Sequence, residues 1–415
     1  MHDKNKSQGE KISMMFSLSD NESNVSHLCE TLNVFRRNNM NISYINSKPS
    51  ICTYNVSKRI NYFIDIDKPK NEGDLLSSVN ELKNRVENLE LIGPEEIPWF
   101  PKSLDDINLI GKKIIGAEEL GIDSENPEVN DQAYLYRRNQ ISEIFKDVQI
   151  KQQYPHVKYN KEENELWNKL LDKLRPLHKQ YACQEFNENF NQFISNLCSR
   201  GKEIPQMYEI NDYLSKSTGV IYRQTDGLLS QREYLNSLAF KVFSSTAFVR
   251  HYSSLFFSTE PDVLHDYIGH AVLFTNKDFC DFNQEIGLSS LGASDDDIKK
   301  LGTIYWYTIE VGLCLEKGKR KLYGGALLTS PLELEWAMSD KPNIRNFDLN
   351  IIPSFPTKYI DLQENYFIAP SFKEMKKEVR KYADTFKRSF NVSYNIDTKT
   401  VVIDRKVNIK KLNSS

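Results

Sequence analysis

The amino-acid sequence predicts an α+β protein in which a small mixed unit precedes a larger, mainly helical one. Three observations support this fold class. Residues 11–92 alternate short apolar runs with two segments of helical period, residues 93–388 indicate mostly helices joined by loops, and residues 389–415 begin with two short strands. With 415 residues and a mass of 48.3 kDa, the chain is long enough to form one or two domains of ordinary size.

The N-terminal unit, residues 11–92, has the predicted element order βαββαβ. Its strands are predicted at residues 12–18, 41–46, 60–66 and 89–92. Apolar residues three or four positions apart predict the two helices: Val25, Leu28, Leu32 and Phe35 in the first, and Leu75, Val79, Leu82 and Val86 in the second. We expect the polar residues 1–10 that precede this unit to be disordered.

The predicted boundary of the larger unit lies at residues 93–98, a polar segment that contains two prolines. Helices dominate the prediction from there to residue 388, for example over 163–177 and 229–243. The pattern then changes, because residues 390–404 predict two strands around an Asp-Thr-Lys turn.

Composition excludes several classes of protein. The net charge of −3 gives no electrostatic reason to expect a nucleic acid or an anionic membrane as partner, and no apolar run approaches the ~20 residues of a membrane span. The N-terminal residues lack the apolar core of a signal peptide. The six cysteines form no C-x-x-C pair. We therefore expect a cytoplasmic protein with reduced thiols.

Two histidines and a carboxylate in the larger unit provide the strongest chemical signal. His265 and His270 lie in the segment PDVLHDYIGH, and Glu310 lies in a second apolar segment. Two neutral imidazoles and one carboxylate on one face of Fe(II) are the ligand set of mononuclear non-haem iron sites, which leave positions open for O₂. On these residues alone, hydrogen-bonded structural histidines and a surface glutamate remain the alternative interpretation.

The spacing of the two histidines predicts where their helix ends. Residues i and i+5 point about 140° apart on a continuous α-helix, so both can face one metal ion only if the helix stops between them. Gly269 could provide a left-handed C-terminal cap. We therefore predict that His265 lies on the helix and His270 just beyond its end.

Glu310 is predicted to lie on a helix that begins near Ser294. Ser294, with Asp297 three residues on, gives a variant of the capping box. Helical spacing then aligns Gly302, Trp306 and Glu310 along one stripe. A carboxylate surrounded by Tyr, Trp, Ile and Val is costly to bury unless it is paired or bound to a metal.

Seven segments of the chain share the order and spacing of one known family. They are IPWFPKSLDDI (97–107), GLLSQREYLNSLAFKVF (227–243), FVRH (248–251), PDVLHDYIGH (261–270), QEIGLSSLGAS (284–294), KLGTIYWYTIEVGLC (300–314) and YGGALLTS (323–330). These segments resemble the pterin-dependent aromatic amino acid hydroxylases, and the resemblance covers residues 97–407.

The resemblance implies a monooxygenase that uses Fe(II), a tetrahydropterin and O₂ to hydroxylate the ring of an aromatic amino acid. His265, His270 and Glu310 match the family's iron ligands. Arg250 matches the arginine that holds the substrate carboxylate, a group that a guanidinium fork suits. Taken alone, Arg250 is more simply explained as part of a surface ion pair. The further substrate contacts that the resemblance implies are Ser258, Pro261, Asp262, Trp306 and Thr329.

A second set of residues is implied for the pterin, either tetrahydrobiopterin or a related compound. The set consists of Gly227, Leu228, Leu229, Tyr234, Asp266 and Tyr305. Catalytic roles are implied for Asp266 and Tyr305, and core packing is the alternative interpretation of the two tyrosines Tyr234 and Tyr305. Tyr234 replaces a stacking phenylalanine, and Asp266 replaces a glutamate whose reach is one methylene longer. The other departures from the family's pattern are Gln231, Ser244, Thr259, Ala326 and Tyr359.

The resemblance also implies the roles of the two ends of the chain. The βαββαβ unit resembles an ACT domain, a regulatory module that often binds amino acids, although the family's motifs are altered at residues 24–26 and 45–49. The two C-terminal strands resemble an oligomerisation arm. Only residues 408–415 follow that arm, and eight residues are too few for a stable coiled-coil helix. We therefore expect a homodimer.

The substrate is predicted to be phenylalanine, because the pair Tyr305-Trp306 is typical of phenylalanine hydroxylases within the resembling family. Tryptophan or tyrosine hydroxylation is the alternative within that family. A second alternative is a catalytically impaired amino-acid sensor, which would retain the pocket without turnover. The complete set of candidate iron ligands argues against this alternative. A zinc hydrolase is a third alternative, but the H-E-x-x-H motif that would supply its general base is absent.

Overall fold

A computed structural model describes most of the chain. The described residues are 11–19, 24–50, 59–67, 69, 71–92, 99–110, 114–116, 119, 122, 126–150, 152–198, 203–386 and 392–403. They divide into two compact units. The first contains the described residues up to Lys102 together with residues 392–393 and 401–403, and the second contains the described residues within 103–386 together with residues 394–400. The predicted N-terminal tail, the predicted boundary at residues 93–98 and the C-terminal residues 404–415 lie outside the described residues.

The N-terminal unit forms a four-stranded antiparallel sheet with two helices. Its elements are β1 (Lys11–Ser19), α1 (Asn24–Arg37), β2 (Ile42–Ser50), β3 (Arg59–Asp67), α2 (Glu72–Lys83) and β4 (Glu87–Ile92). The strand order across the sheet is β2-β3-β1-β4. Every second residue of β1 from Ile12 to Leu18 is buried, as expected for a sheet that packs one face against helices. The predicted order βαββαβ is confirmed.

The larger unit is mainly helical, as predicted. Its α-helices are α3 (Leu104–Leu109), α4 (Pro127–Asn130), α5 (Gln132–Ile144), α6 (Lys161–Tyr181), α7 (Gln184–Leu197), α8 (Met207–Ser215), α9 (Gln231–Leu238), α10 (Lys277–Ser290), α11 (Asp295–Tyr305), α12 (Gly325–Thr329), α13 (Pro331–Met338) and α14 (Phe372–Ala383). Its strands are β5 (Ile221–Gln224), β6 (Val242–Ser245), β7 (Leu313–Glu316), β8 (Lys319–Leu322), β9 (Asn343–Asn346) and β10 (Asn365–Ile368). The strands form one sheet of order β8-β7-β10-β9 and the parallel pair β5-β6.

The two histidines lie on one helix, which corrects the predicted helix end between them. Residues His265–Ala271 form a π-helix, whose i→i+5 hydrogen bonds widen each turn and bring residues five apart onto one face. Gly269 is not among the residues with positive φ, so it is not a cap. Its lack of a side chain serves packing instead, because a Cβ at Gly269 would lie 2.6 Å from the carbonyl oxygen of Gly325 in α12.

The segment that contains Glu310 begins as predicted and ends differently. Ser294 caps α11 by accepting a hydrogen bond from the backbone N–H of Asp297. From Trp306 to Glu310 the turns widen into a second π-helix, after which the N–H of Val311 donates to the carbonyl oxygen of Trp306 at 2.9 Å. Each of the two helices that present the candidate ligands therefore contains a π turn.

Near the C-terminus, β11 (Val392–Asn395) and β12 (Thr400–Ile403) form a two-stranded sheet at the predicted position. The turn between them is organised by Asn395, whose Oδ1 accepts hydrogen bonds from the N–H groups of Asp397 and Thr398. No helix in the described part of the chain combines the length and the apolar character that crossing a bilayer requires.

Candidate active site

The side chains of His265, His270 and Glu310 converge on one point. The two Nε2 atoms are 2.9 Å apart, and they lie 3.4 Å (His265) and 3.3 Å (His270) from the carboxylate oxygens of Glu310. Ligand atoms about 2.1 Å from a metal ion and at right angles to each other are about 3.0 Å apart. The three residues therefore fit one shared metal ion. The structure brings them together, as the sequence predicts.

The protonation states suit a metal site. Burial lowers the pKa of His265 to about 4, so its imidazole is neutral at pH 7, which is the form that binds a metal. Burial raises the pKa of Glu310, but the two histidines outweigh that effect and lower it to about 2. At neutral pH the cluster thus offers a neutral imidazole and an anionic carboxylate, as iron prefers.

The neighbours of the histidines fix the orientation of their rings. The hydroxyl of Thr329 donates to the carbonyl oxygen of Gly325 at 2.9 Å and lies 3.3 Å from Nδ1 of His265. Because its proton is already used, Thr329 accepts from Nδ1–H, and the lone pair of His265 Nε2 is left for the metal. The ring of His270 is fully buried and packs against Gly325. A Cβ at Gly325 would lie 2.5 Å from Cε1 of His270.

The cluster opens onto a cavity with an empty volume of about 1150 Å³, its mouth included. Every predicted site residue lines this cavity except Asp262 and His270, which lie behind its surface. The lining residues that were predicted are Gly227, Leu228, Leu229, Tyr234, Arg250, Ser258, Pro261, His265, Asp266, Tyr305, Trp306, Glu310 and Thr329. The five departures from the family's pattern, at Gln231, Ser244, Thr259, Ala326 and Tyr359, line it as well.

Arg250 is buried and already bonded to protein atoms. Its Nε and Nη2 both donate to Oδ1 of Asp262, at 3.1 and 2.7 Å, and its Nη1 donates to the carbonyl oxygens of Leu255 and Thr329, at 3.3 and 3.1 Å. Asp262 also accepts from the backbone N–H of His265 at 3.0 Å. Four of the five guanidinium N–H groups are therefore used, and one, on Nη2, is left to face a ligand.

Asp266, next to the first histidine, is held by a hydrogen-bonded pocket. Its Oδ2 accepts from the hydroxyl of Ser245 at 3.0 Å, and from the N–H and hydroxyl of Thr246 at 2.8 and 3.0 Å. Burial raises the pKa of Asp266 to about 7, despite these hydrogen bonds. The carboxyl group is thus fixed at the cavity surface.

Aromatic rings form the remaining part of the cavity surface near the metal cluster. The indole N–H of Trp306 donates to Oε1 of Gln363 at 3.1 Å, and the ring of Tyr359 packs edge-on against the indole with centroids 4.8 Å apart. Tyr234 and Tyr305 pack edge-on as well, with centroids 5.1 Å apart. The contacts with Gln363 and Tyr359 fix the plane of the Trp306 indole beside the metal cluster.

With this geometry established, comparison with known proteins decides the family. The sequence profile of a family described as biopterin-dependent aromatic amino acid hydroxylase matches residues 98–415. The chain belongs to this family. It is therefore a pterin-dependent aromatic amino acid hydroxylase, and the reaction requires iron, a tetrahydropterin and O₂.

Individual relatives agree with the family assignment. The hydroxylase is 35% identical to phenylalanine-4-hydroxylase of Rattus norvegicus, an alignment that covers 99% of this chain and 90% of the relative. It is 34% identical to tyrosine 3-monooxygenase of Mus musculus, over 95% of this chain and 78% of the relative. The two relatives act on different amino acids, so this similarity establishes the family and leaves the substrate open.

A solved structure supports the fold of the larger unit and the cofactors. The phenylalanine hydroxylase of Chromobacterium violaceum, with bound iron(III) and 7,8-dihydrobiopterin, aligns with a TM-score of 0.51 and 28% identity, over 55% of this chain and 82% of that chain. The donor set of the present hydroxylase, two imidazoles and a carboxylate, suits the iron that this relative contains.

Sequence reasoning missed three charged residues on the cavity surface of the hydroxylase, Glu260, Glu333 and Lys358. Glu333 is buried and accepts a hydrogen bond from the hydroxyl of Tyr366 at 3.0 Å, and its burial raises its pKa to about 7. The segment Pro331-Leu-Glu-Leu-Glu contains two glutamates, and only three-dimensional packing distinguishes the buried Glu333 from Glu335.

Proposed function

We propose that this hydroxylase converts phenylalanine to tyrosine. The observation that carries the proposal is the pair Tyr305-Trp306 at the cavity surface beside the metal cluster. Tyr359 packs edge-on against Trp306 and also lines the cavity, so its ring narrows the space beside the indole. The 35% identity to the rat phenylalanine-4-hydroxylase supports the same substrate. Tyrosine is the second candidate, because the mouse tyrosine 3-monooxygenase is almost equally similar.

The metal ligands in this proposal are His265, His270 and Glu310. When bound, iron and tetrahydropterin supply the electrons that reduce O₂ and leave one oxygen atom on the substrate ring. These three residues would hold the metal by one ligand atom each, and His265 and Glu310 also line the cavity in which the substrates would bind. Thr329 supports this arrangement, because it accepts from Nδ1–H of His265 and keeps Nε2 directed at the metal.

Substrate binding is assigned to the part of the cavity around Arg250. The remaining N–H on its Nη2 would donate to the substrate carboxylate, and Asp262 would hold the guanidinium in place. Trp306 and Pro261 would enclose the ring between flat apolar surfaces. Ser258 and Thr329 would line the amino-acid end. Together these contacts exclude water from the position that the ring occupies.

The pterin is assigned to the neighbouring part of the cavity. Gly227, Leu228 and Leu229 would run along its edge, and the ring of Tyr234 would stack on its face. Asp266 and Tyr305 would contact it on the side nearest the metal. Asp266 is held by Ser245 and Thr246, so its position is defined before the pterin binds.

A turnover experiment tests the substrate. Purified protein is loaded with Fe(II) and supplied with tetrahydrobiopterin and air, and kcat/KM is measured for phenylalanine, tyrosine and tryptophan. We expect phenylalanine to give the highest value and tyrosine to appear as the product. A higher kcat/KM for either of the other amino acids would replace phenylalanine as the substrate. Iron-free protein provides the control.

The architecture outside the active site supports further proposals. We assign residues 11–92 to an ACT-like regulatory domain, which the βαββαβ order and the antiparallel sheet support. Residues 93–388 form the catalytic domain in this proposal, and residues 389–415 form an arm that joins two copies into a homodimer. A cytoplasmic location is supported by the free thiols of the five cysteines in the described part of the chain.

A further inference from the structure

Two tyrosines on the cavity surface are hydrogen-bonded to each other through their hydroxyls. Tyr234 comes from α9, and Tyr305 is the last residue of α11. Their rings meet edge-on, with centroids 5.1 Å apart and an interplanar angle of 79°. Phe243 also packs edge-on against Tyr234, with centroids 5.8 Å apart and an interplanar angle of 80°. The ring of Tyr234 is therefore fixed, and so is the direction of its hydroxyl.

The hydrogen bond between the two hydroxyls holds both of them. Within the described part of the chain, the hydroxyl of Tyr234 has one hydrogen-bond partner, the hydroxyl of Tyr305. A phenol hydroxyl can donate or accept, so the bond holds the hydroxyl of Tyr305 whichever of the two is the donor. Both tyrosines line the cavity that His265 and Glu310 also line.

We propose that Tyr234 is a positioning residue, whose hydroxyl fixes the hydroxyl of Tyr305 on the cavity surface beside the metal ligands. This inference rests on the proposed function and goes beyond it, because the family resemblance leads to the expectation of a phenylalanine, with no hydroxyl, at this position. One residue would thus both form the stacking surface for the pterin and fix a hydroxyl beside the metal.

The proposal has a consequence for the reaction. Without the Tyr234 hydroxyl, the hydroxyl of Tyr305 loses the hydrogen bond that fixes its orientation. The group then samples other directions at the surface where pterin, O₂ and substrate ring meet. Substrate binding at Arg250 is unaffected, since neither tyrosine contacts that residue through a hydrogen bond. We therefore expect reduced coupling between pterin oxidation and ring hydroxylation, with KM for the amino acid unchanged.

The test compares Tyr234→Phe, Tyr305→Phe and the double variant. The amount of hydroxylated product per tetrahydropterin oxidised is expected to fall about two- to tenfold in Tyr234→Phe, as for the loss of one hydrogen bond. The double variant is expected to be no worse than Tyr305→Phe alone, because Tyr234 acts through Tyr305. Unchanged coupling in Tyr234→Phe, or effects that multiply in the double variant, would overturn the proposal.

The matched control is Tyr307→Phe. Tyr307 lies on the same π-helix as Glu310 and also loses a buried hydrogen bond, in this case to the carbonyl oxygen of Pro356. Its ring does not line the cavity, so product per pterin should equal that of the wild type. If product per pterin fell as much in Tyr307→Phe as in Tyr234→Phe, the loss of any tyrosine hydroxyl near α11 would have the same effect. That result would overturn the proposal.

A second readout separates this proposal from the proposed function. Denaturant unfolding of the iron-free protein gives the coupling between the two hydroxyls through the same three variants, without any turnover. If the wild type prefers another amino acid, the substrate proposal fails while the tyrosine pair is still tested with that substrate. If unfolding shows no coupling between positions 234 and 305, the pair itself is refuted, whatever the substrate.

Discussion

Replacing Arg250 by lysine tests how the cavity holds the carboxylate of an amino acid. The guanidinium donates four hydrogen bonds to protein atoms, two to Asp262 and two to backbone carbonyls, and keeps one N–H for a ligand. An ammonium has only three N–H groups, arranged around a point charge. Lysine therefore cannot satisfy Asp262 and both carbonyls and still donate to the substrate.

The size of the effect follows from that count. The loss of one hydrogen bond to a charged group costs about 1.5–3 kcal/mol. Since 1.4 kcal/mol corresponds to a tenfold change, KM for phenylalanine should rise at least about tenfold. Buried Asp262 retains hydrogen bonds from two backbone N–H groups, those of Arg250 and His265, so the site should remain folded.

Steady-state turnover over a range of phenylalanine concentrations measures the change, and calorimetric binding of phenylalanine to the iron-free variant checks it without turnover. The control is Arg137→Lys, in which the same substitution is made at a guanidinium paired with Glu163 by two hydrogen bonds of 2.8 Å, away from the cavity. Equal KM values for Arg250→Lys and the wild type would refute the assignment of Arg250 to substrate binding.

Three further predictions follow from the site and the C-terminal strands. His265→Ala and Glu310→Ala should each lose bound iron and turnover while the thermal unfolding of the rest of the chain is retained; iron measured by mass spectrometry at the wild-type level would contradict this. Burial raises the pKa of the Glu333 carboxyl from 4.5 to about 7, so the stability that its protonated form provides is present below pH 4.5 and is lost as the pH rises through 7. Glu333→Gln should therefore reduce the loss of stability between pH 5 and 8 by about 3 kcal/mol in urea unfolding, and an unchanged pH profile would be the contrary result. Light scattering at micromolar concentration should give a mass of about twice 48.3 kDa, whereas a stable tetramer would contradict the homodimer.

The sequence was sufficient to predict the cluster of His265, His270 and Glu310, because these residues lie in long motifs. It was not sufficient to predict how the chain brings the histidines together. Periodicity is measured against the α-helical turn, and a five-residue spacing on that turn requires a helix end. The π turn provides another solution, and it depends on packing against Gly325, a residue more than fifty positions away in the sequence.

The state of Arg250 could not be predicted for a similar reason. The motif identifies an arginine and an aspartate, but the two backbone carbonyls that take up Nη1 come from Leu255 and Thr329. Thr329 lies far along the chain, and carbonyl groups have no sequence signature. The N-terminal βαββαβ order, by contrast, was predictable, because apolar residues recur at every second position of β1 from Ile12 to Leu18 and each helix shows an apolar stripe.

The contact between Gly269 and Gly325 constrains how this cavity can be redesigned. The two backbones touch where neither residue has a side chain, and the imidazole of His270 lies against the second of them. Even a methyl group at either position would separate the two segments and displace a candidate metal ligand. Directed evolution toward bulkier aromatic substrates therefore has unequal freedom around the pocket: Tyr359 can be shortened to make room, whereas libraries that vary positions 269 or 325 would consist mainly of proteins that no longer retain their metal.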